Sequence, residues 1–203
     1  MEDFLRAVAE EVASEELEES LWYLVGALGD GTLYYDNGRY VVEYGQKCVD
    51  WLKFAVGLRL AKAGARPHLV RHKSSHWKIR AYNKALYTEL RRRRAELLSG
   101  SLQPRYVVKL VRGLFDTDGT ISRQDKRRVY IRLSQKDEKL LEAIAAMLRQ
   151  LGIETTRVFK SDRYGTYALQ IRSGHVEKFL QTVGTNHPLK YQRIRAFFPH
   201  WGR

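Results

Sequence analysis

A short apolar helix that runs directly into an aspartate and a glycine constrains this chain more than any other feature. Residues 111–119 read Val-Arg-Gly-Leu-Phe-Asp-Thr-Asp-Gly, and Pro104 upstream suits the first turn of a helix. The apolar residues that recur at helical spacing are Val107, Leu110, Val111 and Leu114. Asp118 therefore falls near the helix C-terminus, where the helix dipole disfavours a negative charge.

A second segment has the same form, which indicates an internal repeat. Residues 21–31 read Leu-Trp-Tyr-Leu-Val-Gly-Ala-Leu-Gly-Asp-Gly and end in Asp30 and Gly31. One such helix is weak evidence, because Asp-Gly commonly closes a helix and opens a turn. Here a Gln-Lys pair follows each copy at almost the same distance, beginning at Gln46 and at Gln135. Two matched copies predict a duplicated unit.

The pattern around each copy predicts helix, two strands, helix, two strands and helix, an α+β pseudo-dimer with a duplicated αββαββα order. The later elements of the first half are expected at 49–64, 66–72, 75–82 and 84–98. Those of the second half are expected at 137–152, 155–160, 166–173 and 176–183. The predicted divisions are an acidic N-terminal extension at 1–19, a first half at 20–100, and a second half at 101–203 with a C-terminal basic helix.

These residues resemble the LAGLIDADG homing endonucleases. VRGLFDTDG matches that family's motif closely, whereas YLVGALGDG has Val25 where the family prefers a glycine for close helix contact. Gly26, Ala27 and Gly29 could supply the contact in a shifted position. Two motifs in one polypeptide resemble the monomeric branch of archaeal intron-encoded type. The resemblance implies motif helices packed at the centre, between two antiparallel four-stranded sheets that form a DNA-binding saddle.

In such a fold Asp30 and Asp118 converge. Two carboxylates at two negative helix ends repel each other unless a cation lies between them. Oxygen ligands favour Mg²⁺, with Mn²⁺ as a substitute, and suit metal-assisted phosphodiester hydrolysis. The predicted metal ligands are Asp30, Asp118, Gly29 and Thr117.

The resemblance also implies residues that assist the two aspartates. Gln46 and Gln135 match the family position that orients water near the metals, and Lys190 resembles a basic residue that stabilises the transition state. Arg105 is a weaker first-half counterpart of Lys190, and Asp116 is expected to be structural, capping the opposing helix. The predicted catalytic set is Asp30, Asp118, Gln46, Gln135 and Lys190.

The charge of the chain is divided unevenly. The formal net charge is +13, yet residues 1–20 hold eight acids and one arginine, so the remainder carries about +20. That excess indicates a polyanionic partner. The acidic leader is expected either to pack as a helix on the outer surface or to be a frayed, solvated helix. The apolar residues available for packing are Phe4, Leu5, Val8 and Val12.

Basic side chains on the predicted strands indicate contact with double-stranded DNA. In residues 128–133, alternation buries Val129, Ile131 and Leu133 and turns the arginines to the other face. Arginine and glutamine on a twisted sheet can contact base edges in the major groove. The expected DNA-binding residues are Arg39, Lys78, Arg80, Arg123, Lys126, Arg128, Tyr130, Arg132, Arg157, Lys160, Gln170 and Arg172.

Other sites and locations are disfavoured by the sequence. The spacing of His68, His72 and His76 resembles a zinc set only superficially and favours surface or DNA-contact histidines. The single Cys48 excludes an internal disulfide framework. No membrane-spanning run or signal peptide is evident, so we expect an intracellular, cytoplasmic protein that joins the nucleoid when it acts on DNA.

These features predict a monomeric, sequence-specific endonuclease that cuts both strands of a long asymmetric DNA site. One alternative is an intron RNA-splicing maturase on the same fold, which would bring intron RNA as a partner. The retention of both Asp30 and Asp118 argues for the nuclease. The other alternative is an inactive DNA-binding regulator, which would usually lack the duplicated acids and carry an appended DNA-reading domain.

Overall fold

The computed structural model describes residues 1–73, 75–97, 102–124 and 128–201, and its elements repeat in the predicted order. Helix α1 (Glu2–Ser14) precedes the first half. The first half contains α2 (Leu17–Gly26), β1 (Gly31–Asp36), β2 (Arg39–Gln46), α3 (Leu58–Lys62), β3 (His68–His72), β4 (His76–Tyr82) and α4 (Lys84–Glu96). The second half contains α5 (Pro104–Asp118), β5 (Gly119–Gln124), β6 (Arg128–Gln135), α6 (Glu138–Gln150), β7 (Phe159–Lys160), β8 (Tyr167–Gln170) and α7 (Val176–Thr182). Helix α8 (Pro188–Phe197) follows.

The strands form two antiparallel four-stranded sheets with the orders β1-β2-β4-β3 and β5-β6-β8-β7. The α+β class and the two sheets that the sequence predicted are therefore confirmed. The sheets have matching registers, because Thr32 pairs with Glu43 in the first and Thr120 with Arg132 in the second. Helices pack on one face of each sheet, and the other face carries the outward side chains of the central strands.

Three local expectations differ from the structure. The run at 49–64 is a π-helical segment, Trp51–Gly57, followed by the short α3. The strand expected at 155–160 is interrupted: Thr155 makes an isolated β-bridge with Ile171, and regular strand pairing is confined to Phe159–Lys160. The expected boundary at residue 20 falls inside α2, which begins at Leu17.

The two motif helices, α2 and α5, pack directly against each other through glycines. A Cβ added at Gly26 would lie 1.9 Å from the Leu110 carbonyl oxygen, and one added at Gly113 would lie 2.2 Å from that of Tyr23. Each helix therefore presents a glycine to the backbone of the other. Gly26 supplies the close contact one position after Val25, which is the shifted contact that the sequence suggested.

The shift is accommodated by a 3-10 segment, Ala27–Asp30, that ends the first motif. Four residue steps separate Gly26 from Asp30, and five separate Gly113 from Asp118. A 3-10 helix rises about 2.0 Å per residue and an α-helix about 1.5 Å, so the two paths span about 8 Å and about 7.5 Å. Both aspartates are thus placed about equally far beyond the glycine contact, despite unequal motif lengths.

Helix α1 is docked, so the first of the two expectations for the acidic leader is the one observed. Val8 and Val12 are buried, and Phe4 stacks on Tyr191 with ring centroids 4.1 Å apart. The helix is more than an outer layer, because Glu11 and Glu15 reach cations in both halves of the molecule.

The buried Glu15 joins the two halves. It accepts from the fully buried Arg59 Nε at 2.9 Å and from Lys109 Nζ of α5 at 2.8 Å. Glu11 accepts from Lys109 and Arg112. Although burial alone would raise it, Arg112 and Lys109 hold the pKa of Glu11 at about 2, against 4.5 for a free side chain. Arg59 and Lys109 likewise lower the pKa of Glu15.

Within the described residues, no helix has the length and apolar character needed to cross a membrane. Cys48 is a free, half-buried thiol.

We predict that Gly26→Ala destabilises the protein, although alanine favours an isolated helix by about 1 kcal/mol over glycine. The added methyl would meet the Leu110 backbone at 1.9 Å, so α2 and α5 must separate. Urea unfolding measures the change. The control is Gly174→Ala, because a Cβ there has nothing within 4 Å. Equal stability of the two variants would contradict the glycine contact.

We predict that Glu15→Gln lowers the free energy of unfolding by about 3–5 kcal/mol, because it leaves Arg59 buried without its anionic partner. The exposed Glu10→Gln is the control.

Because the folded-state pKa values of Glu11 and Glu15 are depressed, the stabilisation that these two carboxylates provide is complete above about pH 4.5. It is lost as the pH falls from there toward 2. Unfolding curves at pH 3 and pH 7 test this, and an acid sensitivity equal to that of the control would contradict it.

Candidate active site

The two motif segments end side by side and bring Asp30 and Asp118 together. A Cβ added at Gly29 would lie 1.5 Å from Asp118 Oδ2, so the second-half carboxylate rests against the residue before Asp30. A glycine is required at 29 by this contact. The equivalent residue of the second half is Thr117, whose hydroxyl lies 3.1 Å from Asp118 Oδ2.

Each aspartate is bound by the glutamine that follows it in the repeat. Gln46 Nε2 donates to Asp30 Oδ2 at 2.8 Å, and Gln135 Nε2 donates to Asp118 Oδ2 at 2.6 Å. Both glutamines end the second strand of their half, so matching strand registers place them equivalently. Among the described residues nothing donates to Oδ1 of either aspartate, which leaves one oxygen open in each pair.

The closeness of the two carboxylates contributes to a raised pKa of Asp118. Burial and then the negative charge of Asp30 raise the pKa of Asp118 to about 6, against partial opposition from Thr117 and Lys190. Two half-buried carboxylates that repel each other, each with an open oxygen, form a site suited to a hard cation. Mg²⁺ commonly uses one or two carboxylates with water and phosphate oxygens, so the donor set fits it. In the described ranges no cluster of three or more metal-binding side chains occurs.

Lys190 lies behind the carboxylates. Its ammonium donates to the backbone carbonyls of Phe115 and Asp116, the latter at 2.8 Å, and lies 3.4 Å from that of Thr117. It therefore covers the negative end of α5 and offsets the helix dipole that disfavours Asp118 there. Burial lowers the pKa of Lys190 to about 8. Arg105, by contrast, is at the other end of α5 and pairs with Glu16.

Asp116 is structural but does not cap the opposing helix as expected. Its buried carboxylate accepts from Tyr23 Oη at 2.6 Å, within the body of α2, and from the Asn186 N–H at 3.0 Å. Thr185 donates to its other oxygen. This carboxylate therefore ties both motif helices to the segment Thr185–His187 that leads into α8.

His187 is a site residue that the sequence did not reveal. Its Nε2 lies 2.7 Å from Oε1 of Gln46, in the other half of the molecule. The position before Pro188 signals only the start of a helix, and His187 indeed precedes the first turn of α8. Its contact with Gln46 depends on tertiary packing across more than a hundred residues.

On the first sheet two of the three predicted DNA-binding cations, Lys78 and Arg80, are already paired with an acid. Lys78 Nζ binds Glu43 at 2.7 Å, and Arg80 binds the other oxygen of Glu43. Arg39 lies exposed over the ring of Tyr82, 5.4 Å from its centroid. On the outward face of this sheet, the buried Glu43 therefore neutralises part of the positive charge of Lys78 and Arg80.

On the second sheet Arg132 occupies the register position that Glu43 holds on the first. Its guanidinium lies 5.7 Å from the ring centroids of Tyr130 and of Phe159. Its buried Nε has no hydrogen-bond partner in the described part of the chain. Burial confirms the predicted alternation along β6, with Ile131 inside and Arg132 facing outward.

The other predicted DNA-binding residues are dispersed. Gln170 pairs with Arg132 in register and shares its face. Arg123 points to the helix side, 5.1 Å from the ring centroid of Phe197, so the structure does not group it with the outward cations. Arg172 lies 3.7 Å from Glu154. The predicted DNA-binding residues of this half that lie exposed are Arg123, Arg128, Arg157, Lys160 and Arg172. Lys126 lies outside the described residues.

Comparison with known proteins agrees with this architecture. The model of the family described as "LAGLIDADG-like domain" matches residues 105–184. These residues run from the second motif helix to the end of α7, so the second half of the chain is similar to the LAGLIDADG family. The chain is 27% identical over 194 residues to the homing endonuclease I-ApeI of Aeropyrum pernix, covering 86% of this chain and 85% of that protein.

Solved LAGLIDADG proteins share the fold. The crystal structure of I-DmoI in complex with DNA and Mn has a TM-score of 0.70 at 24% identity, covering 83% of this chain and 98% of that one. The N-terminal LAGLIDADG domain of DUF199/WhiA has a TM-score of 0.63 at 18% identity, covering 92% of this chain and 95% of that one. The LAGLIDADG-type fold that the resemblance implied is therefore confirmed.

Proposed function

We propose that this protein is a monomeric, sequence-specific DNA endonuclease that uses divalent cations to hydrolyse one phosphodiester bond in each strand. The observation that carries the proposal is the duplicated carboxylate–glutamine pair at adjoining helix ends, Asp30 with Gln46 and Asp118 with Gln135. A structural pair of helix-ending aspartates would need neither the contact at Gly29 nor an open oxygen on each carboxylate.

Asp30 and Asp118 would hold Mg²⁺, or Mn²⁺ in its place, with backbone oxygens of Gly29 and Thr117 as further ligands. Bound there, the cation would supply positive charge to the scissile phosphate and activate water. The glutamine amides hold one oxygen of each carboxylate and so set the direction of the other. Lys190 provides positive charge behind Asp118.

The outward sheet faces would bind a long duplex. Arg132, which makes no ion pair among the described residues, and its neighbour Gln170 are the candidates for base contact. Because Glu43 and Arg132 occupy equivalent positions with opposite charge, the two sheets would read different sequences. An asymmetric target site follows. The DNA and the Mn, Mg or Ca named with I-DmoI, and the name of I-ApeI, support this partner and these ions. Action on genomic DNA would place the protein inside the cell.

The proposal predicts that the wild type linearises a plasmid from a library of candidate insertion sites with Mg²⁺ and not with EDTA. Asp30→Asn and Asp118→Asn should each fail to linearise it, because each removes a metal ligand of one site. Residues that only support a metal ligand typically cost about 10- to 100-fold in activity when they are replaced. Loss of a ligand itself should therefore lower the rate of linearisation by at least about 100-fold.

Asp3→Asn, on an exposed carboxylate of α1, is the matched control and should cut normally. Nicking by a single aspartate variant would show that the other site still serves its own strand. Tight DNA binding without cutting in any divalent ion would overturn the nuclease in favour of a binding protein. Preference for structured intron RNA over duplex DNA would instead favour the maturase.

We further predict that Arg132→Ala weakens binding to the recognised site by about 1–3 kcal/mol more than binding to unrelated DNA, as expected for loss of a base contact. Fluorescence anisotropy at fixed salt measures both affinities. The control is Arg123→Ala on the same sheet, because its side chain lies on the helix side. Equal losses in the two variants would contradict a reading role for Arg132.

A further inference from the structure

We infer that His187 is a positioning residue for the Asp30 site alone: it orients the amide of Gln46 and so makes the two sites unequal. This inference rests on the proposed nuclease function. It concerns a residue that lies in neither motif, at the start of α8.

The hydrogen bonds around His187 form a directed chain. A carboxylate only accepts, so the nitrogen of Gln46 must face Asp30 and its oxygen must face His187. The Leu189 N–H donates to His187 Nδ1 at 3.2 Å, which makes Nδ1 the acceptor. Nε2 therefore carries the proton and donates to Gln46 Oε1. If the Gln46 amide were turned over, its oxygen would face the Asp30 carboxylate and its NH₂ group would face the Nε2–H of His187, so both hydrogen bonds would be lost.

The imidazole is itself firmly held. His187 is buried and stacks on Trp51, with ring centroids 6.0 Å apart and planes 27° apart. Its backbone N–H donates to Thr185 Oγ1 at 3.0 Å. Burial, with the nearby Lys190, lowers its pKa to about 3, so the ring is neutral in ordinary buffers. Gln46 thus receives a fixed donor from the second half of the molecule.

The second site has no equivalent support. Within the described residues, nothing donates to Oε1 of Gln135, whose amide is held only through Asp118. Gln103 stands before Pro104 as His187 stands before Pro188, but it is exposed and accepts from Arg105 at 3.2 Å. The support is therefore confined to one half, and removing it should affect one strand.

The experiment measures the nicking rate of each strand with end-labelled duplex. The strand assigned to the first site is the one whose cutting Asp30→Asn slows more. His187→Phe keeps an aromatic ring against Trp51 and removes the donor, whereas His187→Gln keeps a donor near the Nε2 position. His175→Phe is the matched control, since His175 also precedes a helix, α7, and lies toward Glu154 rather than Gln46.

His187→Phe should slow cutting of the first-site strand by about 10- to 100-fold, which is the loss typical of residues around a metal site that hold its ligands in place. Cutting of the second strand should be unchanged. His187→Gln should restore much of that rate. An unchanged ratio of the two nicking rates, whether both strands are slowed equally or neither is slowed, would overturn the inference while leaving the nuclease proposal intact.

A second readout does not depend on cutting. In the metal-free protein, ¹⁵N correlation spectra should show His187 protonated at Nε2, and His187→Phe should shift the Gln46 side-chain amide signals but not those of Gln135. The opposite tautomer, or unshifted Gln46 signals, would overturn the inference. If the wild type cuts no DNA, the nuclease proposal fails and these spectra alone decide the positioning contact.

Discussion

The rest of the structure depends on the direct backbone contact between the two motif helices. Gly26 and Gly113 each contact a backbone carbonyl of the opposing helix so closely that a Cβ at either position would overlap the carbonyl oxygen. Because the helices meet this closely, their ends meet as well, and Asp118 comes to lie against Gly29. The same close approach forces two carboxylates together, so the packing that stabilises the centre also creates the electrostatic cost that a cation would remove.

Charge is separated between the two sides of the molecule. The acids of α1 and the start of α2 pair with cations on the helix side, as Glu15 does with Arg59 and Glu18 with Arg93. In the part of the chain that the structure describes, the outward cations of the second sheet, such as Arg128, are not among the partners of these acids. The acidic leader thus holds the two halves together without lying among the outward cations of the sheets.

The fold and the carboxylates were predictable from the sequence because each depends on local periodicity and on repetition. Asp30, Asp118, Gln46 and Gln135 keep nearly constant spacing, so the duplication singled them out. That each glutamine binds its own aspartate was seen only in the structure. The interruption between the Thr155–Ile171 bridge and the short strand Phe159–Lys160 was not predictable, because alternation does not record where backbone pairing breaks. The orientation of Arg123 was also missed, since its place against Phe197 depends on where α8 packs.

By itself the sequence determined the duplicated α+β order, the two aspartates at helix ends and the basic strand faces, since these follow from hydrophobic period and spacing. Only the tertiary structure decided that a 3-10 turn compensates for the shifted glycine, that Glu43 neutralises two cations of the first sheet, and that His187 reaches Gln46. These features join residues that are distant in the chain. Their geometry arises from backbone contact and burial, which no local pattern records.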